Sequence, residues 1–313
     1  FPKLLAGPIV RYGDIKDQLD NRTCNAELFW QGAKRFAYGL AKKMILANQL
    51  ALVADKIFGE PSAHLSAGAA WAGALFYTLQ IYYDFSGYSD MAIGLGRMFG
   101  FDFLENFNYP YISASVKEFW RRWHISLSTW FRDYLYIPLG GNRRGNTYVN
   151  LMIVFLATGL WHGAAWHFIV WGLWYGAFLI FERVVSGKFP KLKLPYPVKW
   201  LYAMFVVVVG WVLFRSPDVH FALGYLGTMF GFGTSAFGAY PLDLYVNPLA
   251  VCVFAAGVLF SMPVRSFLRA KLKPERRPLL TGVLEGCLVL ALLAVSIMLV
   301  EGSAYSSFIY FQF

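Results

Sequence analysis

The sequence predicts an all-α integral membrane protein with several membrane-spanning helices, and three observations lead to that fold class. First, 58% of the 313 residues are hydrophobic and only 15% are charged, whereas a soluble domain carries about 25% charged residues. Second, aromatic residues make up 19% of the chain, as suits rings that lie at a membrane interface. Third, apolar runs of about 20 residues, the length of a membrane span, recur along the chain. A water-soluble enzyme is therefore excluded.

The first part of the chain predicts one clear span and one more polar helix. Residues 36–58 have helical periodicity, but Lys42, Lys43 and Asp55 interrupt the apolar pattern. A lipid-exposed span rarely tolerates such charges, so an interfacial or pore-lining helix is expected there. Residues 65–86 form the first good span candidate.

The second part of the chain predicts the remaining spans. The apolar run 149–182 is longer than one span and is interrupted by Gly159 and Gly163, which predicts two segments that meet at a break. Further spans are expected at residues 198–215, 245–262 and 279–300. No composition shift marks a boundary, so residues 1–313 are interpreted as one membrane domain. Because the chain begins without Met, N-terminal helices are expected to be missing from it.

The distribution of basic residues predicts the topology. Loops 182–199 and 263–278 are rich in Lys and Arg, whereas the charged residues of loop 216–244 are Asp218 and Asp243. Cytoplasmic loops carry an excess of basic residues, so the first two loops are expected in the cytoplasm and the third outside it, together with the tail 301–313. The formal net charge of +10 thus reflects membrane topology and does not indicate nucleic-acid binding.

The stretch between the early and late spans predicts an amphipathic helix over residues 117–135. At 100° per residue, the apolar face collects Trp120, Trp123, Leu127, Trp130, Phe131 and Tyr134. An interfacial helix on the lipid headgroups is one interpretation. His124 lies at the boundary of the apolar face, where a half-hydrated imidazole suits an acid, a base or a hydrogen-bonding group. The alternative is a histidine whose ring simply lies at the interface.

His162 is the stronger candidate for a functional residue, because a titratable group inside an apolar run usually faces a cavity or a partner. Its neighbours Gly159 and Gly163 are expected to leave room for a ligand. The alternative is that the glycines allow tight helix packing around a hydrogen-bonded histidine. His167 follows five residues later, which places it about 140° away on a helix. No metal site is therefore expected, and His64 and His220, in predicted loops, receive no functional role.

Two further features carry alternative interpretations. Asp84 and Asp90 lie near the end of the first span, where carboxylates serve ion pathways or hold a catalytic base. Alternatively, they pair with Arg97 or Arg121. The run IPLGGN, residues 137–142, offers backbone donors for an anion, but a simple turn is the preferred interpretation.

Several motifs together resemble the membrane-bound O-acyltransferase (MBOAT) family. They are DFSGYSDMAIGLGRMFGFDF, NFNYPYISASVKEFWRRWHISLSTWFRDYLYIPLGGN and TGLWHGAAWHFIVWG, with the opening FPKLLAGPIVRY and the closing FIYFQF. They occur in family order over essentially the whole chain, and within the family they look most like the bacterial alginate O-acetylating branch.

The resemblance implies a fold and a reaction. The fold is a ring of tilted helices around a thinned core, with funnels from both membrane faces that meet near the catalytic histidine. The family's nearly invariant histidine falls on His162, and its second signature histidine falls on His124. The implied reaction moves acetyl groups from cytoplasmic acetyl-CoA toward an extracytoplasmic polysaccharide in the bacterial inner membrane, usually with a periplasmic acetyltransferase partner.

The residue roles expected from this reaction follow its chemistry. A neutral imidazole, with an ordinary pKa of about 6.5, is the best base at neutral pH for the attacking hydroxyl, so His162 is expected to be the general base. His124 is expected to orient a substrate or polarise the carbonyl. Substrate contacts are expected from Asp84, Ser128 and Trp161, and the donor's phosphates are expected to meet Arg143 and Arg144 in a basic mouth that also includes Arg121, Arg122 and Arg132. No cofactor beyond the acetyl-CoA substrate is expected.

Two other functions remain open at the level of the sequence. The D-alanyl transfer protein of teichoic acid modification resembles the chain in the same histidines but takes its acyl group from a carrier protein. A non-enzymatic polysaccharide transporter would use similar cavities without needing His162 as a base.

Overall fold

The computed structural model describes residues 7–191, 193–232, 240–264, 266–267 and 278–302. Within these ranges the protein is helical and has no β-strand, apart from an isolated bridge between Leu65 and Tyr240. The prediction of an all-α fold is confirmed. The ring arrangement and the single domain stay predictions. The tail 303–313 and most of the loop 263–278 lie outside the described residues.

The described residues fall into two compact units. The first unit lies within Phe1–Ala51, Leu79–Phe107 and Cys252–Gln312, and the second within Leu52–Thr78 and Asn108–Val251. The helices, in chain order, are α1 Tyr12–Asn21, α2 Ala26–Ala41, α3 Asn48–Phe58, α4 Ala67–Met98, α5 Val116–Arg122, α6 Ile125–Phe131, α7 Thr147–His162, α8 Trp166–Lys188, α9 Tyr196–Arg215, α10 Val219–Met229, α11 Pro248–Phe260 and α12 Pro278–Gly302.

Three helices in the described part of the chain are long and apolar enough to span a membrane. They are Trp166–Lys188, Tyr196–Arg215 and Leu279–Glu301. Two of them confirm the spans predicted at 198–215 and 279–300, and the first is the second half of the predicted run 149–182. Helix α11, where a span was predicted at 245–262, has only 13 residues. It is an apolar helix, but it is shorter than the helices that could cross a membrane. Together with the aromatic-rich apolar surface, these helices establish a multi-pass membrane protein.

Side-chain caps explain where several helices begin. Asn25 accepts a hydrogen bond from the backbone N–H of Leu28 at 2.8 Å before α2, and Asp218 accepts one from Phe221 at 2.8 Å before α10. Each satisfies a donor that the first turn of a helix leaves free. Helix α10 lies inside the segment 216–244, which the sequence analysis treated as a loop, and it includes His220.

The first unit is organised around charged side chains between α2 and α4. Lys42 and Lys43 lie in a π-helical turn, Lys42–Ala47, that continues α2 into α3. Lys42 bonds Asp90 at 2.6 Å, and Lys43 bonds Asp84. Arg35 also bonds Asp90, at 2.8 Å. We call these five side chains the ionic cluster.

The ionic cluster accounts for charges that interrupt the apolar pattern of the early helices. Lys42 and Lys43, within the predicted helix 36–58, bond carboxylates of α4, and the interfacial or pore-lining position of that helix stays a prediction. Asp84 and Asp90 pair with this cluster and not with Arg97 or Arg121. Helix α4 continues to Met98, so it is longer than the span predicted at 65–86, and it is not among the described helices that are apolar enough to cross a membrane.

Glycines allow α2 and α4 to approach closely enough for these ion pairs. A Cβ atom added at Gly39 would lie 2.6 Å from the backbone oxygen of Gly87, which is closer than real Cβ atoms come to an oxygen. Small residues at such positions let two helix backbones touch, so they place the charges of both helices within bonding distance.

Candidate active site

The second unit contains a helix hairpin that positions His162. Helix α7 ends at His162, and α8 begins at Trp166. The break between them confirms the two segments predicted within 149–182. Gly163 lies in the break, and a Cβ atom added there would lie 2.8 Å from Cε2 of Phe168. The expectation that the glycines leave room for a ligand was therefore wrong at this position, because the ring of Phe168 fills the space.

Aromatic rings surround the imidazole of His162. Ring centroids lie 4.9 Å away for Trp161, 5.0 Å for Trp171, 5.1 Å for Phe214 and 6.2 Å for Phe168. His162 as a residue is partly exposed, and half of the surface of Trp161 is exposed. His162 thus lies in aromatic surroundings next to an exposed tryptophan.

His124 lies between two short helices and not within one. Helix α5 ends at Arg122, α6 begins at Ile125, and His124 adopts a left-handed backbone with φ +45°. The prediction of one amphipathic helix over 117–135 was therefore wrong. Left-handed backbone at a residue other than glycine is strained, and such strain is common at functional sites.

The break between α5 and α6 buries His124, which is only 3% exposed. The expectation of a half-hydrated imidazole at an interface was wrong, because the turn directs the ring inward. Burial lowers the pKa of His124 well below its ordinary value, and the charge of nearby His162 lowers it further. The folded protein therefore holds His124 in its neutral form.

Trp161 brings the two imidazoles to one place. Its ring centroid lies 6.2 Å from that of His124 and 4.9 Å from that of His162. The predicted pair of histidines and the predicted Trp161 therefore share one site, although His124 and His162 are far apart in sequence.

Ser128 was the predicted substrate contact near His124, but the hydroxyl that lies next to the His124 ring belongs to Ser126. Ser128 Oγ lies 3.5 Å from the backbone oxygen of Trp123. Ser126 Oγ lies 3.5 Å from Nδ1 of His124. Because His124 starts a new helix, the residue two positions later turns back toward its ring, and a continuous helix could not have revealed this.

Glu182 is a residue of this region that the sequence analysis did not identify. Its carboxylate, on α8, accepts hydrogen bonds from the backbone N–H groups of Val116 at 2.5 Å and Lys117 at 3.0 Å. These are unpaired donors in the first turn of α5, so Glu182 anchors the helix that leads to His124. A lone carboxylate at the end of an apolar run was the available signal.

In the predicted basic mouth, some arginines bond carboxylates, and others have no ion pair within the described ranges. Arg122 bonds Glu118 at 2.9 Å, and Arg132 bonds Asp133 at 2.6 Å. Arg143 and Arg144 are exposed, and they follow a turn at Gly140 and Gly141 that confirms the turn interpretation of IPLGGN.

A groove lies beside this turn. Its volume is about 460 Å³, and it is lined by Gly145, Asn146, Thr147, Tyr148 and Arg183. Arg183 donates a hydrogen bond to Oδ1 of Asn142 at 2.8 Å. Arg183, one of the basic residues of the predicted loop 182–199, adds a cation beside Asn142, which directly precedes Arg143 and Arg144 in the chain.

Asp84, another predicted substrate contact, lies in the part of α4 that belongs to the first unit. It is buried in the first unit, where it pairs with Lys43. Its predicted role in substrate binding stays a prediction, as do the roles of the other predicted site residues.

Among the described residues, no three His, Cys, Asp or Glu side chains come together in a way that could hold a metal ion. His162 and His167 lie on different helices, so their angular offset on one helix does not apply. The expectation of no metal site stays a prediction.

Comparisons with known proteins identify the family. The family model described as MBOAT, membrane-bound O-acyltransferase family, matches residues 1–217. A probable alginate O-acetylase of Pseudomonas putida is 46% identical over 100% of this chain and 67% of its own length. A peptidoglycan O-acetyltransferase of Helicobacter pylori is 42% identical over 74% of the chain and 45% of its own length.

A more distant relative represents the second function considered above. The teichoic acid D-alanyltransferase of Bacillus subtilis is 28% identical over 70% of this chain and 60% of its own length. The chain thus spans between about half and two thirds of the length of these relatives. The matches confirm the predicted family and the predicted enzyme class.

Proposed function

Because the chain belongs to the membrane-bound O-acyltransferase family, we propose that it is a membrane O-acetyltransferase. It moves acetyl groups from cytoplasmic acetyl-CoA toward an extracytoplasmic, alginate-like polysaccharide, with a periplasmic acetyltransferase as its partner. The names of the O-acetylating relatives support the reaction. The bacterial inner membrane is the proposed location, because the donor and the acceptor lie on its two sides. The observation that carries the proposal is the pair of imidazoles held against Trp161 in aromatic surroundings.

His162 is the proposed general base. The acceptor hydroxyl must lose its proton as it attacks the thioester carbonyl, and an imidazole within hydrogen-bonding distance can accept that proton. The thiolate is a good leaving group, and after it leaves it accepts from the imidazolium the proton that came from the acceptor hydroxyl. The partial exposure of His162 suits a residue that meets a substrate.

His124 is the proposed orienting group. A buried neutral imidazole carries one N–H donor and one acceptor nitrogen, so it can hold a hydroxyl or polarise a carbonyl without carrying charge. Its burial and its left-handed backbone support a fixed position, which is what orientation of a reactant requires. Ser128 and Trp161 are the proposed substrate contacts. Ser128 lies close to His124 in the chain, on α6, and the ring of Trp161 lies close to the ring of His124 in space.

Arg143 and Arg144 are the proposed contacts for the donor's phosphates, with Arg183 added by the groove. Arginine binds phosphate through paired N–H donors. Arg122 and Arg132 already bond carboxylates, so the exposed pair after the turn is better placed to meet a mobile anion.

The donor distinguishes this proposal from D-alanyl transfer and from transport. Reconstituted protein is supplied with acetyl-CoA carrying a labelled acetyl group, or with a D-alanyl carrier protein, together with a polysaccharide acceptor. The expected result is transfer of label from acetyl-CoA only. Transfer from the carrier protein alone would establish the alternative acyl group, and polymer movement without acyl transfer by either donor would establish a transporter.

The topology of the proposal has its own test. Cysteines are placed at Gly187 and Phe232 in a variant whose native Cys24, Cys252 and Cys287 are replaced by Ser. A membrane-impermeant maleimide should label position 232 in intact cells and position 187 only after permeabilisation, because Lys and Arg concentrate in loop 182–199. The reverse pattern would overturn the orientation, and with it the cytoplasmic donor.

A further inference from the structure

The rings around His162 contain buried donors without acceptors. Trp120, Trp123, Phe168, Trp171, Trp211 and Phe214 pack against one another, and we call them the aromatic cluster. Among the described residues, the indole N–H groups of Trp120, Trp171 and Trp211 are buried and have no hydrogen-bond acceptor. A buried indole N–H usually finds a partner, so these donors need an explanation.

Other tryptophans of the same unit donate their indole N–H groups to backbone oxygens. Trp174, one turn from Trp171 on α8, donates to the backbone oxygen of Val206 at 3.0 Å. Trp71 donates to Met229, and Trp200 donates to Tyr111, both at 2.8 Å. Among the described tryptophans, the buried indole N–H groups without an acceptor therefore belong to the aromatic cluster, although other buried polar atoms of the unit, such as Nδ1 of His167 and the hydroxyl of Tyr245, also lack a hydrogen-bond partner.

Of the three donors, Trp171 has a ring contact with His162. The two ring centroids lie 5.0 Å apart at an interplanar angle of 87°. Trp211 lies one ring further away and contacts Trp171 at 6.5 Å. Trp171 is 1% exposed, so water does not compete freely for its N–H.

We infer that the indole N–H of Trp171 donates the hydrogen bond that stabilises the oxyanion during acyl transfer. The inference rests on the proposed function and deepens it, because acyl transfer needs such a donor and no other group has been assigned to it. An orphaned donor in a water-poor site is preorganised for charge that appears only in the transition state. An acyl oxygen that arrives there breaks no hydrogen bond of the protein.

The acceptor hydroxyl gives its proton to His162 and forms a carbon–oxygen bond to the thioester carbonyl carbon. The electron pair of the carbonyl moves to its oxygen, which accepts the hydrogen bond from Trp171. When the carbonyl forms again, the carbon–sulfur bond breaks, and the thiolate takes the proton from His162. The products are an ester and a free thiol.

The test removes the N–H and keeps the ring. Trp171 is replaced by 3-benzothienylalanine, in which sulfur takes the place of the indole nitrogen, in the full chain reconstituted in vesicles. The same replacement at Trp211 is the matched control, because it removes an equally buried donor that does not contact His162. Trp171→Phe is a second variant, which uses a natural amino acid and also lacks the indole N–H. Acetyl transfer from acetyl-CoA is measured as separate kcat and KM values.

The expected result is a fall in kcat of about 10²- to 10³-fold at position 171, with KM for acetyl-CoA little changed and with less than threefold change at position 211. An unchanged kcat at 171 would overturn the inference, as would equal losses at both positions or a rise in KM alone. Wild-type protein that transfers no acetyl group would instead overturn the proposed function. Active wild-type protein with a fully active isostere at 171 would overturn only the role of Trp171.

Discussion

Two regions of the molecule bury polar side chains, and they differ in how those side chains are satisfied. In the ionic cluster of the first unit, Lys43 and Asp84 are 5% and 2% exposed and bond each other. In the aromatic cluster of the second unit, the buried indole N–H groups of Trp171 and Trp211 have no hydrogen-bond acceptor among the described residues. Paired charges fix a structure, whereas unpaired donors beside a histidine remain available to a substrate. The comparison predicts that changes in the first region act on stability and that changes in the second act on the proposed acetyl transfer.

The largest expected effect concerns the second region. His162→Ala should lower kcat for the proposed acetyl transfer by about 10³-fold or more, because it removes the proposed general base, while thermal stability and membrane insertion stay near wild type. Turnover is measured with reconstituted protein, and insertion by membrane fractionation. Near wild-type turnover would contradict the base assignment. His124→Ala should be less damaging, and if it were the worse of the two, their roles would have to be exchanged.

The matching change in the first region should act on stability. Lys43→Met leaves the carboxylate of Asp84 buried without this partner, and breaking a buried pair in this way costs about 3–5 kcal/mol of unfolding free energy. The measurement is thermal unfolding in detergent, with turnover per folded molecule near wild type. Lys34→Met is the control, because Lys34 bonds Glu285 at a more exposed position and should cost about 1 kcal/mol or less. An equal loss of unfolding free energy in the two variants would contradict the idea that the buried ion pair of Lys43 stabilises the fold more than the less buried one of Lys34.

Arg143 and Arg144 are exposed, so they test whether charged side chains at the surface contribute to binding of the donor. Replacing Arg143 and Arg144 together by Gln should raise KM for acetyl-CoA about tenfold, since a charge-assisted hydrogen bond contributes about 1.5–3 kcal/mol before solvent screening. A short acetyl thioester without the nucleotide should be affected less. Arg132→Gln, which removes an arginine already paired with Asp133, is the control. An equal loss with both donors would point to a structural role for the turn.

The smallest expected effect tests the buried state of His124. The unfolded chain binds a proton at His124 below about pH 6.5, and the folded protein, in which burial lowers the pKa of this residue, does not. Stability from this group is therefore complete at high pH and is lost as the pH falls, by about 0.8 kcal/mol at pH 6. His124→Gln should lose less stability between pH 8 and pH 6 than wild type does. The same loss in both proteins would contradict a neutral His124.

Local patterns predicted the elements that depend on nearest neighbours. The break at Gly163 and the turn at Gly140 and Gly141 could be predicted because glycine placement acts on the backbone itself. The spans over α9 and α12 could be predicted because apolar length alone decides whether a helix can cross a membrane. The left-handed turn at His124 could not be predicted, since the helical periodicity of 117–135 continues through it.

By itself, the sequence determined the membrane class, the all-α fold, the family and the two histidines, because composition, apolar length and contiguous motifs are properties of the chain. The tertiary structure decided which polar groups find partners. It paired Asp84 with Lys43, anchored α5 on Glu182, and placed both imidazoles near Trp161. Among the residues that the structure describes, it left the N–H of Trp171 without an acceptor. Such pairings join residues far apart in the chain, and the geometry that sets them exists only once the helices have packed.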